Sequence, residues 1–170
     1  MKLLMVAVAF SLSFFIHSSP PHSGEPPVPL RISTCMKRTE LKSFRVDSRI
    51  NPYYLRGDFD GDGKPDFAVM ITRANSKLSG LVICQGDGRS FVLGTGSKPS
   101  FSTMPDDNFL SSDWEVVTLA EFRELLYDKK LALGAKGEVI CLNWEDGSAY
   151  IYWDGDRYRW FSEPAGGTEK

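Results

Sequence analysis

Residues 57–66 read Gly-Asp-Phe-Asp-Gly-Asp-Gly-Lys-Pro-Asp and place carboxylates at loop positions 1, 3, 5 and 9, on Asp58, Asp60, Asp62 and Asp66. Four like charges in nine residues repel one another unless a cation neutralises them. Ca²⁺ suits such a loop, because it takes 6–8 oxygen ligands at about 2.3–2.6 Å in a flexible geometry. Mg²⁺ demands a stricter octahedron and usually keeps several waters, so it suits an all-protein loop less well. Gly61 and Gly63 permit the sharp curl, since glycine reaches positive φ without a Cβ penalty. Lys64 stands at position 7, where a backbone carbonyl ordinarily ligates, and Asp66 closes the loop at position 9. Position 12, which would hold the bidentate Glu of an EF-hand, is Val69, inside an apolar run. The loop is therefore predicted to lead into a β-strand. Its expected affinity is that of extracellular calcium modules, about 10⁻⁴–10⁻³ M.

Other chemistry is thinly represented. The two histidines stand at 17 and 22, near the N-terminus, so the body has no imidazole for acid/base, metal or thiol-activating work. The acidic pairs Asp106-Asp107, Glu145-Asp146 and Glu121 with Glu124 fit a loop, a turn and a helix surface, and no pattern sets any pair across a cleft. Arg56-Gly57-Asp58 spells an adhesion tripeptide, but its aspartate is the first carboxylate of the loop. With 20 basic and 22 acidic side chains and a formal charge of -2, the 170-residue chain lacks the basic field of a nucleic-acid binder. No catalytic or cofactor-binding residue is assigned, and the expectation is a non-enzymatic protein.

The elements that position the loop follow from periodicity and turn chemistry. Residues 67–72, 80–85 and 90–93 are apolar, β-prone runs separated by a polar connector and by Gln85-Gly86-Asp87-Gly88-Arg89, and they predict an antiparallel meander. Residues 94–113 form a long Gly-, Ser-, Pro- and Asp-rich loop, followed by a short strand over 114–117. Thr118-Leu-Ala-Glu121 fits a capping box that opens an amphipathic helix over about 119–128. Three more strands are predicted at 138–143, 148–153 and 157–161, with turns at Asp146-Gly147 and Asp154-Gly155. The fold class is α+β: mainly antiparallel sheet of about six strands with one helix packed on it.

The stretch GDFDGDGKPDFAVM resembles the calcium loop and following strand of FG-GAP or VCBS repeats, the integrin α-propeller type. Residues 80–91, with their strand, Gly-rich turn and aromatic, are similar to the rest of such a repeat. The resemblance covers about 57–93 and implies Ca²⁺ ligation by Asp58, Asp60, Asp62 and Asp66, with Lys64 contributing its carbonyl. The loop occurs once, and a propeller needs four to eight blades. The implied molecule is thus a single-copy module, similar to small secreted bacterial proteins that carry one such loop.

Residues 1–23 have the order of a secretory signal peptide: Lys2, a 14-residue apolar run from Leu3 to Ile16, then small and polar residues. The run is short for a membrane span, so no stable span is expected after cleavage. Residues 24–29 form a Pro-rich linker, 30–162 a single domain and 163–170 a flexible tail. In the secreted or periplasmic setting this implies, Cys35, Cys84 and Cys141 can pair, but three is odd. Cys84 and Cys141 both lie in strand-like runs and read either as buried small hydrophobes or as a bridge to each other. Among the C-terminal aromatics, Ala149, Ile151 and Trp153 share one strand face and Tyr150 and Tyr152 the other. That second face is either packed or an exposed platform for sugars. The leading expectation is a secreted or periplasmic calcium-binding module with a structural or protein-binding role. The alternatives are carbohydrate or cell-envelope binding through the aromatics, Tyr152 and Trp160 included, and a hydrolase using the 94–113 loop.

Overall fold

The computed structural model describes residues 26–76, 78–96, 113–126, 133–145 and 147–162, and these fold as α+β with two antiparallel sheets and two short helices among them. Helix α1 (Leu30–Met36) and a 3₁₀ turn at Thr39–Leu41 precede strands β1 (Phe44–Val46), β2 (Tyr54–Gly57), β3 (Asp66–Arg73), β4 (Ser79–Cys84) and β5 (Ser90–Gly94). Strand β6 (Asp113–Val117) leads into helix α2 (Leu119–Leu125), and β7 (Lys136–Trp144), β8 (Gly147–Trp153) and β9 (Tyr158–Ser162) follow. The first sheet runs β1-β3-β4-β5, with β2 also on β3, so β1 and β2 share one edge of β3 end to end. The second sheet runs β6-β7-β8-β9.

Strand alternation builds the layers. On β3, Ala68 and Met70 face the second sheet, while Phe67, Val69 and Ile71 face α1. On β7 and β8, Ile140, Leu142, Ile151 and Trp153 join Ala68 and Met70, while Val139, Cys141, Tyr150 and Tyr152 pack beneath α2. The order is therefore α1, first sheet, second sheet, α2. A strand buried on both faces loses its polar/apolar alternation and reads as a continuous apolar run. That is why all of Asp66–Ile71 and all of Ser79–Cys84 are buried.

The predicted meander, the C-terminal strands and α2 are present. Thr118 Oγ1 accepts the Glu121 N–H at 3.2 Å and Glu121 Oε2 accepts the Thr118 N–H at 2.9 Å, so both halves of the capping box form. Helix α2 ends at Leu125 rather than 128, and residues 127–128 lie outside the described ones, as do 1–25, most of the 94–113 loop and the 163–170 tail. The expectation of about six strands and one helix falls short: β1, β2 and α1 are additional. Part of the Pro-rich stretch packs on the body, with Val28 against the α1 side of the first sheet and the Tyr53 hydroxyl donating to the Pro27 carbonyl.

The cysteine pairing differs from the Cys84–Cys141 bridge considered above: Cys35 of α1 is bonded to Cys84 of β4, and Cys141 is free and buried. The reason is the layer order. Cys84 sits on the outer face of the first sheet and Cys141 on the outer face of the second, so both sheets lie between them. Burial pushes the Cys141 thiol up to about 11, and its Sγ donates to Asn143 Oδ1 at 3.3 Å, so it stays a protonated, inert thiol. Of the two readings of the second face of β8, the packed one holds: Tyr150 and Tyr152 are buried against Phe122 of α2, with ring centroids 5.2 and 5.5 Å away. Arg157 and Arg159 pair with Asp156 and Asp154 around the β8–β9 turn.

Candidate metal centre

Strand β2 delivers the chain into the acidic loop and β3 carries it away, with Gly57 opposite Asp66 in the ladder. Between them, Phe59 turns inward. Its ring is 1% exposed and belongs to the core between the two sheets, which fixes the loop to the body from within. Gly61 and Gly63 adopt φ of 74° and 82°, the conformation for which glycine was expected.

Side-chain-to-backbone bonds then shape the loop. Asp58 Oδ2 accepts the Gly63 N–H at 3.0 Å, and Asp60 Oδ1 accepts the Asp62 N–H at 3.1 Å. Asp66, fully buried at the start of β3, accepts the Phe59 N–H at 2.9 Å and the Asp60 N–H at 3.3 Å on Oδ2. Its Oδ1 accepts the Gly86 N–H at 2.6 Å, which ties the loop to the β4–β5 turn.

The result is a cluster. Carboxylate oxygens of Asp58, Asp60 and Asp66 lie within 4.8 Å of one another, and the three could hold a metal ion. Asp58 Oδ1 is buried with no hydrogen-bond partner among the described residues, a costly state for a carboxylate oxygen unless something binds it. Burial raises the Asp60 carboxyl above its ordinary range, with the charges of Asp62 and Asp58 adding to the effect. Burial pushes Asp66 up to about 6 against the opposing hydrogen bonds from Gly86, Phe59 and Asp60. A cation among them would reverse both shifts, because an opposite charge favours the ionised form. The hard, all-oxygen donor set fits an alkaline-earth ion and suits a soft metal poorly.

Asp62 does not join the three. Its carboxylate accepts the Lys64 N–H at 2.8 Å and pairs with the Lys64 ammonium at 2.7 Å on the loop's outer side. These contacts with Lys64 hold the Asp62 carboxyl below its usual range. Arg89, from the β4–β5 turn, brings Nη2 to 3.3 Å from Asp60 Oδ2 and pairs with Asp87 at 2.6 Å.

Two residues of the second sheet complete the setting and were not singled out by sequence. The Asp58 N–H donates to Glu138 Oε2 at 2.7 Å, and the Glu138 N–H donates to the Asp58 carbonyl at 2.7 Å. Beside it, Gly137 (φ 71°) lies so close that a Cβ would stand 2.3 Å from the Asp58 carbonyl oxygen and 2.6 Å from the Gly61 nitrogen. The register of β7 against β8 shifts between Lys136 and Ile140, which opens room for this contact. A glycine at the head of a strand run is the signal that could have found it, because such glycines mark bulges and close backbone approach. Gly137→Ala is therefore expected to cost about 2–3 kcal/mol through positive φ and backbone clash together. Urea unfolding at fixed Ca²⁺ measures it, and an unchanged midpoint would show that the loop does not rest on β7. The same contacts occupy the adhesion-like tripeptide, since Asp58 is engaged through both backbone groups.

Among the described residues no helix is long and apolar enough to cross a membrane. Compared with known proteins, the chain matches no family model, no curated protein and no solved structure.

Proposed function

We propose that the 57–66 loop is a Ca²⁺ site and that the ion acts mechanically, fastening the two sheets of a secreted or periplasmic structural or protein-binding module. The observation that carries this reading is the partnerless, buried Asp58 Oδ1 beside the carboxylates of Asp60 and Asp66. The likeness of the loop to FG-GAP and VCBS calcium loops supports calcium over other cations, with Lys64 contributing its carbonyl and Asp62 rotating from its pairing with the Lys64 ammonium. The Cys35–Cys84 disulfide accords with an oxidising compartment. The loop's position supports the mechanical role, because it is bonded to β4–β5 through Gly86 and to β7 through Glu138. Ion binding would then contribute directly to folding stability.

Asp60→Asn tests the reading. Asparagine keeps the acceptor for the Asp62 N–H and removes one charge. The variant is expected to bind Ca²⁺ at least about tenfold more weakly, as suits loss of one charged ligand. In chelator it should be no less stable than wild type, since repulsion within the cluster falls. Wild-type calcium affinity by calorimetry in this variant would overturn the assignment.

A further inference from the structure

A second concavity opens on the other side of the β4–β5 turn, against the disulfide. It measures about 280 Å³, and its walls carry Arg31 and Arg38 from the α1 region, Arg89 from the turn and, among the described residues, no acidic side chain. The three guanidiniums differ in how they are compensated. Arg89 is already paired with Asp87 and Asp60. Arg31 donates from Nη1 to the Pro65 carbonyl at 2.8 Å, and Arg38 from Nη1 to Ser90 Oγ at 3.4 Å. Both acceptors are neutral, and neither arginine forms an ion pair among the described residues.

The backbone fixes where these groups stand. The position of a Cβ on Gly86 lies 3.2 Å from the Pro65 carbonyl oxygen, the acceptor of Arg31. The position of a Cβ on Gly88 lies 3.5 Å from Arg38 Nη2. Arg31 and Arg38 thus flank the Gly86–Gly88 turn from its two ends, across a floor formed by the disulfide. Two uncompensated guanidiniums carry two positive charges. A phosphate monoester carries about −1.5 to −2 at neutral pH and presents three acceptor oxygens. A single carboxylate would neutralise half of that charge and fill less of the space. Arginine's planar fork suits phosphate oxygens bidentately, which lysine does not reproduce.

We infer that this concavity is a binding site for a phosphate monoester, with Arg31 and Arg38 as its anchors and the disulfide and Leu30 as an apolar wall. The site does not rest on the calcium reading, and it is tested on the full chain in chelator.

Calorimetric titration with inorganic phosphate and with phenyl phosphate is expected to give dissociation constants on the order of 1 mM or tighter. Phenyl phosphate should bind more tightly if the ligand's carrier lies on the apolar wall, and equally if the phosphate is recognised free. Acetate should bind at least about tenfold more weakly than either. The paired variant Arg31→Ala/Arg38→Ala should lose phosphate binding by at least about tenfold, and Arg38→Lys, which keeps the charge, should lose part of it. Arg123→Ala, on α2 at the other end of the molecule, removes a charge elsewhere and should bind as wild type does. Absence of phosphate heat in the wild type would overturn the inference. Equal weakening by Arg123→Ala would also overturn it, because the effect would then be one of net charge. Thermal unfolding of each variant separates lost binding from lost folding: a variant with the wild-type midpoint that still binds phosphate normally counts against the site.

Discussion

Phe59→Ala is expected to lower the unfolding free energy by about 3–5 kcal/mol, the usual cost of removing a fully buried aromatic ring. The position is unusual for so large an effect, because Phe59 stands between two acidic residues of an otherwise polar loop. Its ring nevertheless sits in the core between the sheets, with Leu55, Met70 and Trp114 in the same cluster. The side chain holds no ligand atom, but its own N–H is one of the bonds on Asp66. Losing the ring should therefore loosen the loop and weaken Ca²⁺ binding as a secondary effect. Urea unfolding in chelator isolates the packing component: the midpoint should fall with little change in slope. A loss below about 1 kcal/mol would show that the loop is held by its polar bonds alone.

Removing the disulfide is the second large effect. Cys35 and Cys84 are 49 residues apart in sequence, and a bridge closing a loop of that length is worth about 3–4 kcal/mol through the unfolded state. Cys35→Ala/Cys84→Ala should show this loss, and the wild type in strong reductant should show nearly the same. Agreement between the two would confirm that Cys141, free and buried, plays no part in pairing. A loss under about 1 kcal/mol would mean that α1 and the 3₁₀ turn dock on the first sheet by apolar contact alone, through Ile32 and Leu41 against Val69 and Val82.

Much of this architecture was legible because local rules and the tertiary fold agree. The β3–β5 meander has apolar runs punctuated by a Gly-Asp-Gly turn, and the Thr118–Glu121 capping box needs only four residues to declare itself. Elements that draw their stability from the rest of the molecule were silent. Strand β1 is three residues long with Arg45 at its centre, and β2 is four with Arg56 exposed, so neither shows a period. Both exist because β3 offers them one edge. Helix α1 has no side-chain cap and no acidic residue in its first turn, and it is held by burial of Ile32 and by Cys35.

The candidate site divides the same way. The spacing of Asp58, Asp60 and Asp66 needed only the loop's own curl. The diversion of Asp62 to Lys64 depends on which way one side chain turns, which spacing does not specify. The hold of Glu138 on Asp58 spans 80 residues and comes from the stacking of one sheet on the other. The disulfide partner depends on the facing of strands, so the two cysteines that look most alike in sequence end up on opposite outer faces.

The most direct test of the central claim, that Ca²⁺ on Asp58, Asp60 and Asp66 fastens the two sheets, is thermal unfolding of the chelator-stripped full chain against Ca²⁺ titrated to about 10 mM. With a dissociation constant of about 10⁻⁴–10⁻³ M, linkage gives about 1.4–2.7 kcal/mol at that concentration. For a domain of this size the midpoint should then rise by roughly 4–10 °C. A midpoint that stays the same in Ca²⁺ and in chelator would contradict the account.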